Sequence, residues 1–141
     1  MIIDKYDQEF HGDIMDPIDA VHYTKIILDK KDGRTAVALI IGADSDIEAM
    51  VPIPAGVDGI EPKYILYKMA HMGAKRFLLV VRNSYKDTVN LLAYQDINIG
   101  CSMLGMELID LIDYEPLSGD SYIKSYATGK TYDRKTAKSI I

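Results

Sequence analysis

The chain has 141 residues, which is enough for one domain with a single substantial core. Its hydrophobic fraction of 48% and charged fraction of 26% are ordinary for a globular protein, and no apolar run approaches the ~18 residues of a membrane helix. The net charge of -5 argues against general nucleic-acid binding, because phosphate contacts need a basic surface. A single cysteine excludes an internal disulfide framework, and the start lacks the pattern of a signal peptide, so cytoplasmic residence is expected.

The chain divides into a polar N-terminal extension over 1–15, a folded domain over 16–126 and a basic C-terminal tail over 127–141. Ile2 and Ile3 favour a short edge strand within the extension. Between 124 and 138 the only acid is Asp133, and the basic residues there are Lys124, Lys130, Arg134, Lys135 and Lys138. A solvated tail is the simpler interpretation of this bias, and a weak nucleic-acid contact is the alternative.

The first half of the folded domain predicts a helix and a hairpin. Asp16 can cap a helix in which Pro17 takes the first position, and this helix should end near Asp29. The apolar run 35–41 predicts a central strand. Apolar and polar residues alternate over 47–54, so this second strand has one buried face, and its prolines place its end at a sheet edge or bulge.

The second half predicts two more helices and three strands. One helix runs from Pro62 to about Met72 and is closed by Gly73 in a left-handed conformation. Five apolar residues at 77–81 predict a strand buried on both faces. A loop over 83–92, a helix over 96–106 and strands over 108–114 and 121–126 follow. The inward helix positions are Ile65, Leu66, Met69, Ala70, Ile97, Cys101 and Leu104. This order predicts an α/β fold, a mixed β-sheet sandwiched by helices.

Polar residues follow the buried strand, at the sheet edge where α/β proteins build their sites. The segment Arg82 to Tyr85 holds no His, Cys or Glu, so it does not specify a reaction. Asp96, Asp110 and Asp113 could converge near the strand ends and hold Mg²⁺ or Ca²⁺ through their oxygens. The structural alternative is that Asp96 caps a helix and that the other two aspartates face opposite sides of one strand.

The cysteine and the histidines do not form a recognisable catalytic set. Cys101 is predicted to face inward as a small hydrophobe, because no base is placed to activate its thiol. His11, His22 and His71 are scattered and lack the spacing of metal ligands. We therefore interpret them as surface or boundary residues.

Five short segments, in this order and spacing, resemble a known family. They are Asp16 to Ala20, Val51 to Gly56, Glu61 to Leu66, Leu104 to Asp110 and Ser121 to Ser125. Over roughly 16–131 they resemble the RadC-like branch of the JAB/MPN metalloprotease superfamily. The resemblance implies a three-layer architecture of the kind shared with cytidine deaminases, and it implies a zinc-dependent peptidase site.

The chain departs from that family at the positions that carry the chemistry. The family's two histidines correspond to Val81 and Asn83, and the position expected for the catalytic glutamate falls at Arg34-Thr35, where there is no acid. Of the zinc ligands only Asp96 remains, and the family's Asp-His pair becomes Asp110 followed by Leu111. Because a catalytic zinc needs about three protein ligands, we expect no cofactor and no peptidase activity by the family mechanism.

The sequence therefore favours a non-catalytic binding or scaffold module. Its recognition surface is expected at a vestigial cleft formed by Arg82, Asn83, Ser84, Tyr85, Asp96 and Asp110. The expected partner is an unidentified protein, and homodimerisation through an exposed edge strand is a further expectation. Two alternatives stay open. One is a hydrolase rebuilt around Asp96 and a divalent ion, and the other is a nucleic-acid-linked protein of DNA repair, suggested by the RadC-like resemblance and the basic tail.

Overall fold

The structure is a computed structural model, and it describes residues 16–28, 35–54, 60–82, 87–117, 120–133 and 138–139. Within these ranges the helices are α1 (Pro17–Leu28), α2 (Pro62–His71) and α3 (Asp87–Leu104). The strands are β1 (Thr35–Ile41), β2 (Ile47–Ile53), β3 (Arg76–Arg82), β4 (Glu107–Leu117), β5 (Asp120–Ser125), β6 (Thr131–Asp133) and β7 (Lys138–Ser139). The strand expected at Ile2 and Ile3 lies outside the described residues.

The strands form one seven-stranded sheet in the order β2-β1-β3-β4-β5-β6-β7. Only β3 and β4 pair in parallel, and α3 is the crossover that a parallel pair requires. The other neighbouring strands pair antiparallel, including the expected hairpin of β1 and β2. The exposed Pro52 lies in β2 at one edge of the sheet, as its missing N–H predicts. The expected α/β fold with a mixed sheet is confirmed.

Helices cover both faces of this sheet. The alternation of side chains along β3 shows this division. Leu78 and Val80 pack against the buried residues of α1. Phe77, Leu79 and Val81 point to the other face and belong to the cluster that contains the buried residues of α2 and α3. All five of these residues are buried, as the apolar run predicts. The sheet therefore separates an α1 face from an α2/α3 face, and this division decides which polar side chains can meet.

Local signals define the helix ends where the sequence predicts them. The backbone N–H of Ile18 donates a 2.9 Å hydrogen bond to Oδ1 of Asp16, which confirms the cap of α1. Gly73 has a φ of 73° immediately after α2, and the N–H of Ala74 donates to the carbonyl oxygen of Met69. These contacts satisfy backbone groups that a helix end otherwise leaves unpaired.

The helix α3 begins nine residues earlier than predicted, at Asp87 rather than Asp96, so the expected loop over 83–92 is wrong from residue 87 onward. Its buried side is formed by Asn90, Ala93, Ile97 and Cys101, at helical spacing. Because Asn90 is polar, the apolar periodicity that predicts a helix begins only after the helix itself has started. Leu104, predicted to face inward, is exposed, and so is Ala70 of α2.

The sheet also continues beyond its predicted last strand. Two short strands, β6 and β7, extend it through the segment that was expected to be a tail. The chain reverses direction between β5 and β6 with Gly129 at a φ of 74°, a conformation that glycine adopts without strain. The N–H of Ser125 donates to the carbonyl oxygen of Lys130 to close this turn. The basic segment is thus partly built into the sheet.

Candidate functional site

Arg82, the last residue of β3, is joined to the end of α1. Its Nη1 donates a 3.0 Å hydrogen bond to the carbonyl oxygen of Leu28, the last residue of that helix. The final carbonyl groups of a helix have no partner within the helix, so the guanidinium satisfies one of them and holds α1 on the sheet. This contact gives Arg82 a structural function on the α1 face.

Asp110 is buried in β4 and accepts two hydrogen bonds from the end of β5 and the turn that follows. Oδ2 accepts from Oγ of Ser125 at 2.5 Å, and Oδ1 accepts from the backbone N–H of Ala127 at 2.8 Å. Burial raises the pKa of this carboxyl, and the hydrogen bonds from Ser125 and Ala127 oppose that rise. Asp110 therefore fastens the β5–β6 turn to the sheet.

Asp96 is exposed on α3 and lines an open groove of about 340 Å³ between α2 and α3. The other lining residues are Glu61, Pro62, Lys63, Leu66, Ile99 and Gly100. The structure thus separates the described members of the vestigial cleft. Arg82 and Asp110 are four register pairs apart along the sheet, and Asp96 lies in the opposite helix layer. Asn83, Ser84 and Tyr85 lie outside the described residues.

The residues that correspond to the family's metal ligands do not fit a zinc ion. Val81 and Leu111 are fully buried in the apolar cluster under α2 and α3. The surviving Asp96 lies in a surface groove away from both of them. In the part of the chain that the structure describes, no three His, Cys, Asp or Glu side chains gather closely enough to hold a metal ion.

A row of polar residues crosses three strands on the α2/α3 face, and we call it the polar row: Asp113, Lys124 and Thr131. Asp113 of β4 pairs in register with Val81 and with Lys124 of β5, and Lys124 pairs with Thr131 of β6. Neighbouring strands lie about 4.8 Å apart, so the row spans about 10 Å. Asp113 is 6% exposed and Thr131 is 4% exposed. Polar side chains this buried mark a place where hydrogen bonds matter.

The helix α3 brings Asn90 to the level of this row. The rings of Tyr94 and Tyr126 lie 6.3 Å apart, and the N–H of Tyr126 donates to the carbonyl oxygen of Leu111. One helical turn from Tyr94 back to Asn90 covers about 6 Å. The two strand residues from Leu111 to Asp113 cover about the same distance along β4, and the direction is the same because α3 runs antiparallel to β4. Asn90 is therefore at about the height of Asp113 along the strand.

Asn90 is 1% exposed, and neither its amide nitrogen nor its amide oxygen has a hydrogen-bond partner among the described residues. The hydroxyl of Thr131 has none either. Lys124 is half-buried, and its Nζ lies 4.9 Å from the ring centre of Tyr126. Sequence patterns do not predict this group, and the one signal for Asn90 is a polar residue at an inward helix position.

The opposite side of α3 carries apolar side chains into solvent. In the described ranges, every large hydrophobic side chain that is exposed lies on α2, on α3 or at the end of α2, and we call this set the outer apolar face. Its members are Tyr64, Tyr67, Met72, Leu91, Leu92, Ile99, Met103 and Leu104. Met103 is 81% exposed. Leu92, Ile99 and Met103 recur at a spacing that keeps them on one side of the helix, away from the sheet.

No protein-family model and no curated protein matches this chain. In the described ranges, no helix is both long enough and apolar enough to cross a membrane. Function is therefore inferred from the positions, burial and contacts of the chain's own residues.

Proposed function

We propose that this chain is a non-catalytic binding module, a RadC-like JAB-type domain without metal-dependent peptidase chemistry, that holds a protein partner on its outer apolar face. The observation that carries the proposal is the concentration of exposed large hydrophobic side chains on α2 and α3. Apolar patches larger than a few hundred Å² are rare on monomers, and a standard interface takes about 800 Å² from each partner. Eight such side chains supply an area of this order.

The groove between α2 and α3 adds polar groups to the middle of this face. Lys63 and Asp96 line it with opposite charges, beside the apolar Leu66 and Ile99. Charges at an interface orient the partner and exclude wrong partners, whereas apolar anchors supply most of the affinity. The face thus has both kinds of contact.

A second copy of the chain is one partner that this face suits. A two-fold contact places the same patch on both subunits, so a groove with both charge signs is complementary to itself. The edge strands β2 and β7 offer the other route to homodimerisation. Cytoplasmic residence belongs to the same proposal.

The described residues give the two alternatives little support. A hydrolase built on Asp96 and a divalent ion has Glu61 as a second carboxylate in the same groove, but no third ligand joins them among the described residues, and Asp110 is bound to Ser125 and Ala127 elsewhere in the sheet. For nucleic-acid binding, the basic residues of that segment whose side chains the structure describes are Lys124, which lies over an aromatic ring, and Lys130, which is exposed. Neither position forms a basic surface.

The proposal is tested by placing charge on the outer apolar face. We expect Ile99→Glu combined with Met103→Glu to weaken association at least tenfold, because each buries a charge in the interface. Ala43→Glu combined with Thr128→Glu is the matched control, since both residues are exposed in turns of the sheet and lie outside α2 and α3. Sedimentation equilibrium measures self-association, and photo-crosslinking from position 103 in cells, with mass spectrometry, identifies another partner.

Two results would overturn the proposal. One is the absence of both self-association and a specific crosslinked protein. The other is association that the double variant retains at wild-type strength while its circular dichroism and melting temperature show that it is folded.

A further inference from the structure

We infer that the partner is a second copy of this chain, and that the two-fold axis of the dimer runs along the groove between α2 and α3. This inference rests on the proposed function, because it names the occupant of the outer apolar face and its orientation. It selects the helix face, rather than the edge strands β2 and β7, as the dimer contact. The groove is lined by Lys63 and Leu66 on its α2 side and by Asp96, Ile99 and Gly100 on its α3 side.

The first argument is the division of charge between the two helices. From residue 62 to residue 76 the sequence has three lysines and one arginine but no Asp or Glu, whereas α3 has Asp87 and Asp96 but no Lys or Arg. Glu61 directly precedes the first stretch and also lines the groove, so the α2 side carries both signs. Among the described residues that line the groove, the only cation is Lys63. A partner for this face therefore needs a lysine opposite Asp96 and a carboxylate opposite Lys63, and a second copy of the chain has both.

The second argument is the relative position of the two charges. Lys63 and Asp96 line opposite sides of one groove, and one helical turn further along both helices Leu66 lies against Gly100. The two helices therefore run in the same direction, with the two charges at the same level. A two-fold axis parallel to the groove exchanges its two sides and keeps the level, so it places Lys63 of each copy over Asp96 of the partner subunit.

The charges also exclude the other face-to-face arrangement. A two-fold axis at right angles to the groove would place α2 over α2 of the partner subunit and α3 over its α3. Lys63 would then meet Lys63 of the partner subunit, and Asp96 would meet Asp96 of the partner subunit. Like charges that face each other across an interface are unfavourable, so the axis along the groove is the one that fits.

The third argument is the fit of the apolar side chains. Ile99 on the rim of the groove is 62% exposed, and the axis along the groove places it over the α2 side of the partner subunit, next to the half-buried Leu66 there. One turn later, Met103 lies over the exposed Ala70 of the partner subunit, whose methyl group leaves room for a long side chain. Protruding side chains of α3 thus face recessed or small side chains of α2, as in the packing of ridges into grooves.

The two helices also provide the area that a small dimer needs. A helix with its side chains is about 10 Å wide, and α2 and α3 are about 15 and 27 Å long, so together they form a face of several hundred Å². Specific interfaces at the low end of the size range bury about 600 Å² or less on each partner. We therefore expect a dissociation constant in the micromolar range.

Charge reversal tests both the occupant and the axis. Lys63→Glu places a second carboxylate opposite Asp96 of the partner subunit, and Asp96→Lys places a second ammonium group opposite Lys63 of the partner subunit. Each variant alone should therefore dimerise at least about tenfold more weakly than the wild type. An equimolar mixture of the two variants restores an opposite-charge pair at both contacts, and so does the double variant. Both should dimerise within about threefold of the wild type.

Sedimentation equilibrium of the full-length chain, over a range of concentrations, measures each dissociation constant. The matched controls reverse the same two charges elsewhere on the surface. They are Glu48→Lys and Lys130→Glu, whose positions are exposed and lie outside α2 and α3, and they should dimerise like the wild type. Circular dichroism shows whether each variant is folded.

Three results would overturn the inference: a monomeric wild type, a single variant that dimerises as strongly as the wild type, or a mixture no stronger than its components. A monomeric wild type that crosslinks from position 103 to a different protein leaves the proposed function intact and excludes only the second copy. Dimerisation that neither these charges nor Ile99→Glu with Met103→Glu weaken identifies the edge strands as the contact, and it overturns both.

Discussion

Ser125 and Asp110 are joined across two neighbouring strands by a 2.5 Å hydrogen bond from Oγ to Oδ2. The other carboxyl oxygen of Asp110 accepts from the backbone N–H of Ala127. One side chain of β4 therefore holds both the end of β5 and the turn that leads to β6. Because β6 contributes Thr131 to the polar row, this contact also positions one end of that row.

Asp110→Asn should remove a pH dependence from the stability of the fold. Burial raises the folded-state pKa of Asp110 above its ordinary value of 3.8, so the folded chain binds this proton more tightly than the unfolded chain does. The stability that this proton gives is fully present below the ordinary pKa and is lost as the pH rises through the raised pKa. The asparagine has no such loss, because its amide accepts from Ala127 and donates to Ser125 without ionising.

Urea unfolding at several pH values between about 4 and 8 measures this effect. The free energy of unfolding of the variant, relative to the wild type, should rise with pH. Ser102→Ala is the control, because that side chain is exposed and does not ionise in this range. Parallel pH profiles for the wild type and Asp110→Asn would show that the pKa shift was assigned to the wrong group.

Arg82→Met should destabilise the fold by about 1.5–3 kcal/mol, because it removes a charged hydrogen bond to the end of α1 while keeping the apolar stem. Thermal unfolding measures the change, and Lys75→Met provides an exposed control. Partner binding by the folded variant should be unchanged. A stable Arg82→Met protein that has lost its partner would instead place Arg82 in the binding surface, as its position after the buried strand predicts.

Local signals in the sequence predict most of the fold. Asp16 caps the start of α1, and Gly73 follows the end of α2 in a left-handed conformation. The apolar run at 77–81 forms a strand that is buried on both faces. Each of these features depends on residues close together in the chain. The physical causes are capping, a left-handed conformation and burial, and all three leave a mark on residue type.

The candidate sites could not be predicted in the same way. The polar row exists because β4, β5 and β6 pair in one register, and this pairing brings Asp113 beside Lys124 and Lys124 beside Thr131. The register between strands depends on how distant segments pair, so it cannot be predicted from any one segment alone. Asp96 shows a second limit, which is the precision needed to place a side chain on a helix. It directly precedes the buried Ile97, and a shift of one residue around a helix moves a side chain from the core to solvent.

Cys101 should resist alkylation in the folded protein. Its thiol is buried on α3, and burial raises its pKa, so the reactive thiolate is scarce at neutral pH. We expect iodoacetamide to modify it about 100-fold more slowly than an unfolded chain, with the rate set by opening of the structure. Because the chain has one cysteine, the mass shift is unambiguous. Rapid modification without urea would contradict the buried position.

Gly100 and Leu66 should be energetically coupled across the contact of α2 with α3. A Cβ at Gly100 would overlap Cδ1 of Leu66 and lie 3.2 Å from its Cγ. An alanine normally stabilises a helix interior by about 1 kcal/mol relative to glycine. Here it must displace the leucine from the groove, so we expect Gly100→Ala to destabilise the wild type by about 1 kcal/mol.

The double-mutant cycle distinguishes these two effects. In a Leu66→Ala background the overlap is gone, so Gly100→Ala should become stabilising, which gives a coupling free energy of about 1–2 kcal/mol. Urea unfolding of the four proteins measures it, and Ser102→Ala in both backgrounds is the additive control, because Ser102 is exposed and faces a different side of α3 from Gly100. If Gly100→Ala has the same effect in both backgrounds, α2 and α3 do not meet at this pair. The groove that contains Asp96 would then have a different shape, and the charge placements on the outer apolar face would need to be chosen again.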